Sequence, residues 1–295
     1  MEIFGVVNAS PDSLAEFSIA TTYDDALALG QKLLSEGADH LDLGGQASHG
    51  DARFVTPDQE WETLRHPLRA LVSLGVEVSV DTWQVETARR AFDAGAMVLN
   101  AADALQDDAM LEFAAERECT VVLPFMLGPD PRHLKHVEGD PVAVMVDWFA
   151  EQLRRADRFG IGERLLLDPG TGFAPAHWDW AERCEYQKLI YAGLGELRRF
   201  GLPIYVPVPW KQTPDRMELL DIVLAHEIEY ARAHLPAQVR ERHAVVGVRS
   251  HPNQMMSRPV VPSATGPIPP PDQSFIEVET AAASTNIEAA PPCQG

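Results

Sequence analysis

Polar residues of catalytic or ligand-binding type recur in this chain just past short apolar runs. Asn8 follows the first run, with Asp12 and Ser13 behind it. Asp42 and the stretch Gly44-Gly45-Gln46-Ala47-Ser48-His49 belong to the second. Asp81-Thr82, Asn100 and Asp168 follow the third, fourth and sixth runs, Lys211 the seventh, and Arg249 and His251 the eighth. Carboxylates on rigid bases accept paired N–H bonds, and an amide supplies both donor and acceptor. Asp81, Asn100 and Asp168 therefore suit the edge of a flat amino-pyrimidine heterocycle. Arg249 is placed to lie over such a ring as a cation–π partner, and Lys211 adds a donor. Arg249 and His251, two positions apart on a strand, face one way. With a metal near Asn8 they would bind a pyrophosphate. Taken singly, each residue has a plainer reading. An aspartate after a strand caps the next helix, Asn100 is a turn residue, and Lys211 is a solvated charge. Together, at the same end of consecutive runs, they read as one shared pocket.

The elements that must position them alternate regularly. Eight apolar runs read as buried strands: Ile3 to Val7, His40 to Leu43, Val76 to Val80, Met97 to Leu99, Thr120 to Leu123, Arg164 to Leu167, Ile204 to Val208 and Ala244 to Val248. The stretches between them carry helix signals. Thr56-Pro57-Asp58-Gln59 combines an N-cap threonine, a proline at the first helical position and a glutamine at the reciprocal capping position. Pro141 to Gly160 and Met217 to Ala233 each place apolar residues on one helical face. Such repetition means a closed barrel or an open doubly wound sheet. The first run ends in Asn8-Ala9-Ser10-Pro11-Asp12 rather than in a Gly-x-Gly-x-x-Gly turn, which favours a (β/α)₈ TIM barrel. In that fold all the polar strand ends meet at one mouth. The barrel domain is read as residues 1–251. No eighth helix is read beyond His251, because Pro252 and a proline-rich stretch stand there. Residues 252–295 carry little apolar surface and read as a disordered tail.

Composition excludes several classes. The chain of 295 residues has 24 basic and 44 acidic residues, a net charge of −20, and no basic cluster. It would repel nucleic acid. An anionic ligand would need local cations or a metal. No apolar run is long enough to span a membrane. The segment Met1-Glu2-Ile3-Phe4-Gly5-Val6-Val7 lacks the features of a signal peptide. Three scattered cysteines give neither a disulfide framework nor a metal site and suit the cytoplasm. Nothing in the sequence decides for or against a homodimer.

At these residues the sequence resembles dihydropteroate synthase and the wider pterin-binding family. Gly5-Val6-Val7-Asn8-Ala9-Ser10-Pro11-Asp12-Ser13 is similar to the first family signature, and Asp39 to Ser48 to the second. Ser79-Val80-Asp81-Thr82 and Leu167-Asp168-Pro169-Gly170-Thr171-Gly172-Phe173 match the third- and sixth-strand motifs. Lys211 falls where a Ser-Arg-Lys motif has its lysine, and Arg249-Ser250-His251 falls on an Arg-x-His motif. The resemblance implies that Asp81, Asn100, Asp168 and Lys211 hold a pterin ring, with Met126 as a wall and Arg249 stacked over it. It implies that Asn8 helps place a Mg²⁺ ion carrying a pyrophosphate leaving group and that His251 binds phosphate oxygens. Ser48 and Phe173 would border p-aminobenzoate. Lys211, Arg249 and His251 would be the catalytic residues. The implied reaction joins 6-hydroxymethyl-dihydropterin diphosphate to an arylamine, by leaving-group stabilisation and positioning.

Departures from the family cluster in two loops. The first continues Leu14-Ala15-Glu16-Phe17-Ser18, and the second carries His49 where the family has an arginine. Pro124-Phe125-Met126 and Pro209-Trp210 also differ from their family counterparts. A histidine lacks the bidentate fork of an arginine, so the expectation is intact pterin binding with slow arylamine transfer or none. Two other functions compete: a pterin-binding protein that has lost turnover, and a methyltransferase that takes a methyl group from a folate. Lys211 and the Arg-x-His pair argue against the latter, whose donor has no pyrophosphate to hold.

Overall fold

The computed structural model describes residues 1–47, 53–131, 133–173, 175 and 177–250, with side chains described as far as residue 246. Among the described residues eight parallel strands alternate with eight α-helices: β1 (Glu2–Asn8), α1 (Tyr23–Ser35), β2 (His40–Gly44), α2 (Pro57–Val72), β3 (Val78–Thr82), α3 (Val85–Asp93), β4 (Val98–Ala101) and α4 (Asp108–Arg117), then β5 (Thr120–Pro124), α5 (Pro141–Arg158), β6 (Leu165–Asp168), α6 (Trp180–Ala192), β7 (Tyr205–Pro207), α7 (Pro214–Leu224), β8 (Tyr230–Ala233) and α8 (Pro236–Ser250). The strands pair in the order β6-β5-β4-β3-β2-β1-β8-β7. The gap between β6 and β7 is closed by a bridge from Leu167 to Ile204 and by the Leu167 N–H donating to Pro203 O at 2.9 Å. The fold is a (β/α)₈ TIM barrel. Among the described residues no helix is long and apolar enough to cross a membrane.

Local sequence explains the elements. Thr56 caps α2 through the expected reciprocal bonds with Gln59, and Pro57 opens the helix. Gly95, at φ +105°, provides the left-handed residue just past α3. Outward-facing strand residues such as Leu41, Leu43, Val121 and Leu123 are fully buried against the helices. Inward-facing residues follow the period of two. Near the strand starts they are apolar: Phe4, Val98, Val122, Leu166 and Tyr205 form a separate buried cluster, with Tyr230 packed against it. Two residues further along the same strands, the inward positions become Asn100, Asp168 and Arg232. The barrel is thus plugged at one end and polar at the other.

The eighth βα unit differs from expectation. Ala244 to Val248 is not a strand but part of α8, so the eighth helix is present. The expected helix from Met217 to Ala233 divides into α7 and β8. Tyr230-Ala231-Arg232-Ala233 presents no continuous apolar run because its two outward residues are alanines, buried under helices. Pro236 stands at the start of α8, where its missing N–H costs nothing. Val239 is buried and Val246 packs on the core seven positions later, whereas Val245 is exposed, which is helical spacing. The expected tail, residues 252–295, lies outside the described residues.

Candidate active site

Strand register brings the polar ends together. Asp42 pairs in register with Ser79 of β3, and Asp81 with Asn100 of β4. Asp42 is fully buried. Its Oδ1 accepts from Ser79 Oγ at 2.6 Å and from Asn100 Nδ2 at 3.3 Å. Its Oδ2 accepts from Arg232 Nε at 2.5 Å, and Arg232 Nη2 donates to Asp81 Oδ2 at 2.8 Å. One guanidinium therefore bridges two carboxylates across the mouth, using the fork geometry that lysine lacks. Asp168, on the last residue of β6, accepts from the Gly170 N–H at 2.7 Å. Gly170 has φ +71°, and a side chain there would collide with the Phe125 carbonyl, so this turn requires glycine.

The charge balance of this end is unusual. Three carboxylates, Asp42, Asp81 and Asp168, share the field of one arginine, Arg232. Burial raises the Asp168 carboxyl to about 7, against the bond from the Gly170 N–H and the field of Arg232. Burial also raises Asp81, with Asp42 and Glu60 adding to the effect and Arg232 opposing it. For Arg232, burial works against its charge, but Asp42 and Asp81 outweigh it and raise the guanidinium above its ordinary value. Carboxyls near neutrality can either accept or donate a proton, as a heterocycle edge with mixed donors and acceptors requires. Glu60 supports the mouth from behind. Buried on α2, its Oε2 accepts from Thr82 Oγ1 at 2.9 Å and from Gln84 Nε2 at 2.8 Å, and burial raises its carboxyl.

Several expected residues take their places here. Asn100 and Asp168 are buried and Asp81 is partly open to the mouth. Met126 is buried, and with the half-buried Phe173 it lines a side cleft between the loops after β5 and β6. Asn8 ends β1 and donates from Nδ2 to Ser18 Oγ at 2.7 Å. Lys211 is exposed at the rim, its ammonium 5.1 Å from the Trp210 ring centre. Ser48 and His49 lie outside the described residues, as does His251. Arg249 falls in α8, not at a strand end. The Arg-x-His pair at the mouth is instead Arg232-Ala233-His234. This corrects the assignment of Arg249 and His251: the motif sits on a short alanine-rich strand, while a more apolar run downstream is helical.

Three further residues belong to this end of the barrel. Arg53, in the loop after β2, pairs its Nε with Asp12 Oδ2 at 3.1 Å and thereby ties that loop to the one after β1. Gln46 holds the same loop by donating to the Arg53 carbonyl at 2.9 Å. The second loop thus still contributes an arginine, four positions beyond His49. His234 is held neutral: burial first, and then Arg232, lower its imidazole to about 3. Its Nδ1 lies 3.2 Å from Ser18 Oγ, and the rings of Phe17 and Trp210 approach it at 6.0 and 6.1 Å between centroids.

Comparison with known proteins places this geometry. The family model described as "Pterin binding enzyme" matches residues 4–237. The dihydropteroate synthase of Neisseria meningitidis serogroup B is 31% identical over 218 residues, covering 72% of this chain and 75% of that protein. The crystal structure of the Yersinia pestis dihydropteroate synthase with a sulfonamide drug complex superposes with a TM-score of 0.72 at 27% identity, over 85% of this chain and 94% of that one. The Xanthomonas albilineans dihydropteroate synthase in complex with 7,8-dihydropteroate gives 0.67 at 28% identity, over 85% and 94%. The match ends at residue 237, shortly after Arg232 and His234 and before Arg249, in agreement with the strand assignment. The chain therefore belongs to the pterin binding enzyme family, as a dihydropteroate synthase-like transferase.

Proposed function

We propose that the protein joins 6-hydroxymethyl-dihydropterin diphosphate to p-aminobenzoate or a closely related arylamine, in the cytoplasm. The C–O bond to the diphosphate breaks and the leaving group takes the electron pair. The arylamine nitrogen then bonds to the methylene carbon and releases one proton. The observation that carries this reading is the polar layer of Asp81, Asn100, Asp168 and Arg232 above an apolar plug. Asp168 and Asn100 meet the amino-pyrimidine edge. Arg232, in the role first given to Arg249, exchanges part of its contact with Asp81 for the ring. Met126 forms a wall, Lys211 reaches the ring edge from the rim, and Ser48 and Phe173 border the arylamine. Leaving-group stabilisation and alignment supply the rate, with no general base required.

Asn8 and His234 stand at the diphosphate end. Among the described residues no group of three or more histidine, cysteine or acidic side chains is placed to hold a metal. The Asn8 amide oxygen fits an ion that keeps most of its waters and arrives on the diphosphate. Mg²⁺ bound in this way supplies charge neutralisation to the departing group. Pteroate formation from the pterin diphosphate, Mg²⁺ and p-aminobenzoate tests the proposal. It is expected in the wild type and reduced at least 100-fold in Asp168→Ala. A wild-type protein that binds the diphosphate but forms no pteroate would overturn it.

A further inference from the structure

Tyr205 stands on β7 among the residues of the apolar plug, its ring centroid 5.4 Å from that of Phe4. It is fully buried, and its hydroxyl has no hydrogen-bond partner among the described residues. A buried hydroxyl without a partner costs free energy that a phenylalanine would not. The charges that act on it belong to the polar layer: Asp42 first, then Arg232, Asp168 and Asp81. Burial, and after it the field of Asp42, hold the phenol protonated, well above its ordinary value. Tyr205 therefore carries an O–H donor at the boundary between plug and polar layer, and no step of the proposed reaction uses it.

Asp42 is the acceptor with most need of that donor. Fully buried, it accepts from Ser79, Asn100 and Arg232. The proposed function assigns two of those three donors, Asn100 and Arg232, to the pterin. The donors of a guanidinium lie in one plane. A plane that turns to stack on the ring therefore draws on the Asp42 bond as well as on the Asp81 bond. The Asn100 bond, at 3.3 Å, is already the longest of the three. A buried carboxylate left with Ser79 alone would be under-satisfied. Asp168 is in a different position, because its donor is the backbone N–H of Gly170. Resting on the proposed function, we infer that Tyr205 is a positioning residue whose hydroxyl is a reserve donor: idle in the free protein, it donates to Asp42 when the pterin draws Arg232 and Asn100 away. Asp42 then stays satisfied in the bound state and keeps its hold on the Arg232 stem beside the ring.

Two measurements on the full-length protein test this. The first compares Tyr205→Phe with the wild type. Without ligand, the melting temperature of the variant should be equal or higher, because the hydroxyl it lacks had no partner. Its affinity for 6-hydroxymethyl-dihydropterin by isothermal titration should be roughly tenfold weaker, the effect of one hydrogen bond to a charged group. The second titrates protein labelled with ¹³Cζ-tyrosine with the same pterin. The Tyr205 resonance, identified by its loss in Tyr205→Phe, should move downfield on saturation as the hydroxyl begins to donate. Unchanged affinity in Tyr205→Phe, or a Tyr205 resonance that stays in place, would overturn the inference. A lower melting temperature together with weaker affinity would also overturn it, as the mark of a merely structural role. If the wild type does not bind the pterin, the proposed function fails and the inference falls with it. A wild type that binds, beside a Tyr205→Phe protein that binds equally well, removes the inference alone.

Discussion

Leu166 and Asp168 are neighbours on the inward face of one strand, yet they belong to opposite ends of the barrel. Leu166 lies in the apolar plug with Phe4, Val122 and Tyr205. Asp168, two residues on, is buried in the polar layer, with its carboxyl raised to about 7. Burial is nearly equal at the two positions, but its effect on stability has opposite sign. Apolar burial favours the fold by about 25 cal/mol per Å². Burial of an ionisable group is unfavourable unless partners offset it. The plug makes the barrel stable and the mouth spends part of that stability on ligand-ready groups, the distribution expected of a functional site.

The largest expected effect comes from removing the cation that bridges Asp42 and Asp81. Arg232→Ala leaves Asp42 and Asp81 without their shared partner and should cost about 3–5 kcal/mol by urea unfolding. Pterin binding should be lost as well. At the plug, Leu166→Ala should cost about 2–5 kcal/mol, with pterin affinity within about twofold of the wild type. If Leu166→Ala weakens binding as much as it weakens the fold, the two ends are not separable and the comparison fails.

Asp168→Asn should act in the opposite direction. The folded carboxyl titrates near 7 and its ordinary value is 3.8. Its contribution to stability is therefore most favourable below pH 3.8 and is lost as pH rises toward 7. Asparagine still accepts from the Gly170 N–H but carries no charge. The variant should match the wild type near pH 4 and exceed it by roughly 2–4 kcal/mol near pH 8. Chemical denaturation across that range would show the difference, and a constant offset would contradict it.

Smaller effects are expected in the loops of the mouth. Ala104 and Leu105, after β4, both adopt the left-handed region, at φ 56° and 53°. That conformation costs a non-glycine residue about 1–2 kcal/mol, and glycine in turn loses about 0.5–1 kcal/mol of chain entropy. Ala104→Gly should therefore stabilise the protein slightly, by about 0.5–1 kcal/mol in thermal unfolding. Arg53→Ala removes an exposed pair worth about 0–1 kcal/mol. It should leave the melting temperature nearly unchanged and lower pteroate formation more than pterin affinity.

The sequence displays the plug more openly than the mouth. Strands β1 to β6 are legible because each is an apolar run flanked by turn residues, and Asp81, Asn100 and Asp168 are legible because they end those runs. Strand β8 is not, since Ala231 and Ala233 give no apolar signal and the inward residues are Tyr230 and Arg232. The run Ala244-Val245-Val246-Gly247-Val248 is β-rich in composition, but Pro236 and the spacing of Val239 and Val246 commit it to a helix. The same shift of register moves the arginine and histidine of the site from 249 and 251 to 232 and 234. Ser18 and Arg53 act through contacts between loops, which leave no periodicity. Glu60 is hidden in a helix between two other acidic residues, Asp58 and Glu62, that are exposed.

The central claim is that the polar layer at the barrel mouth binds a pterin. Its most direct test is the affinity of Asp168→Ala for 6-hydroxymethyl-dihydropterin by isothermal titration, alongside the wild type and Leu166→Ala. Loss of a buried, hydrogen-bonded carboxyl should cost about 2–5 kcal/mol, a weakening of roughly 30-fold to several thousandfold, with Leu166→Ala near wild type. Wild-type affinity in Asp168→Ala would contradict the assignment of the site.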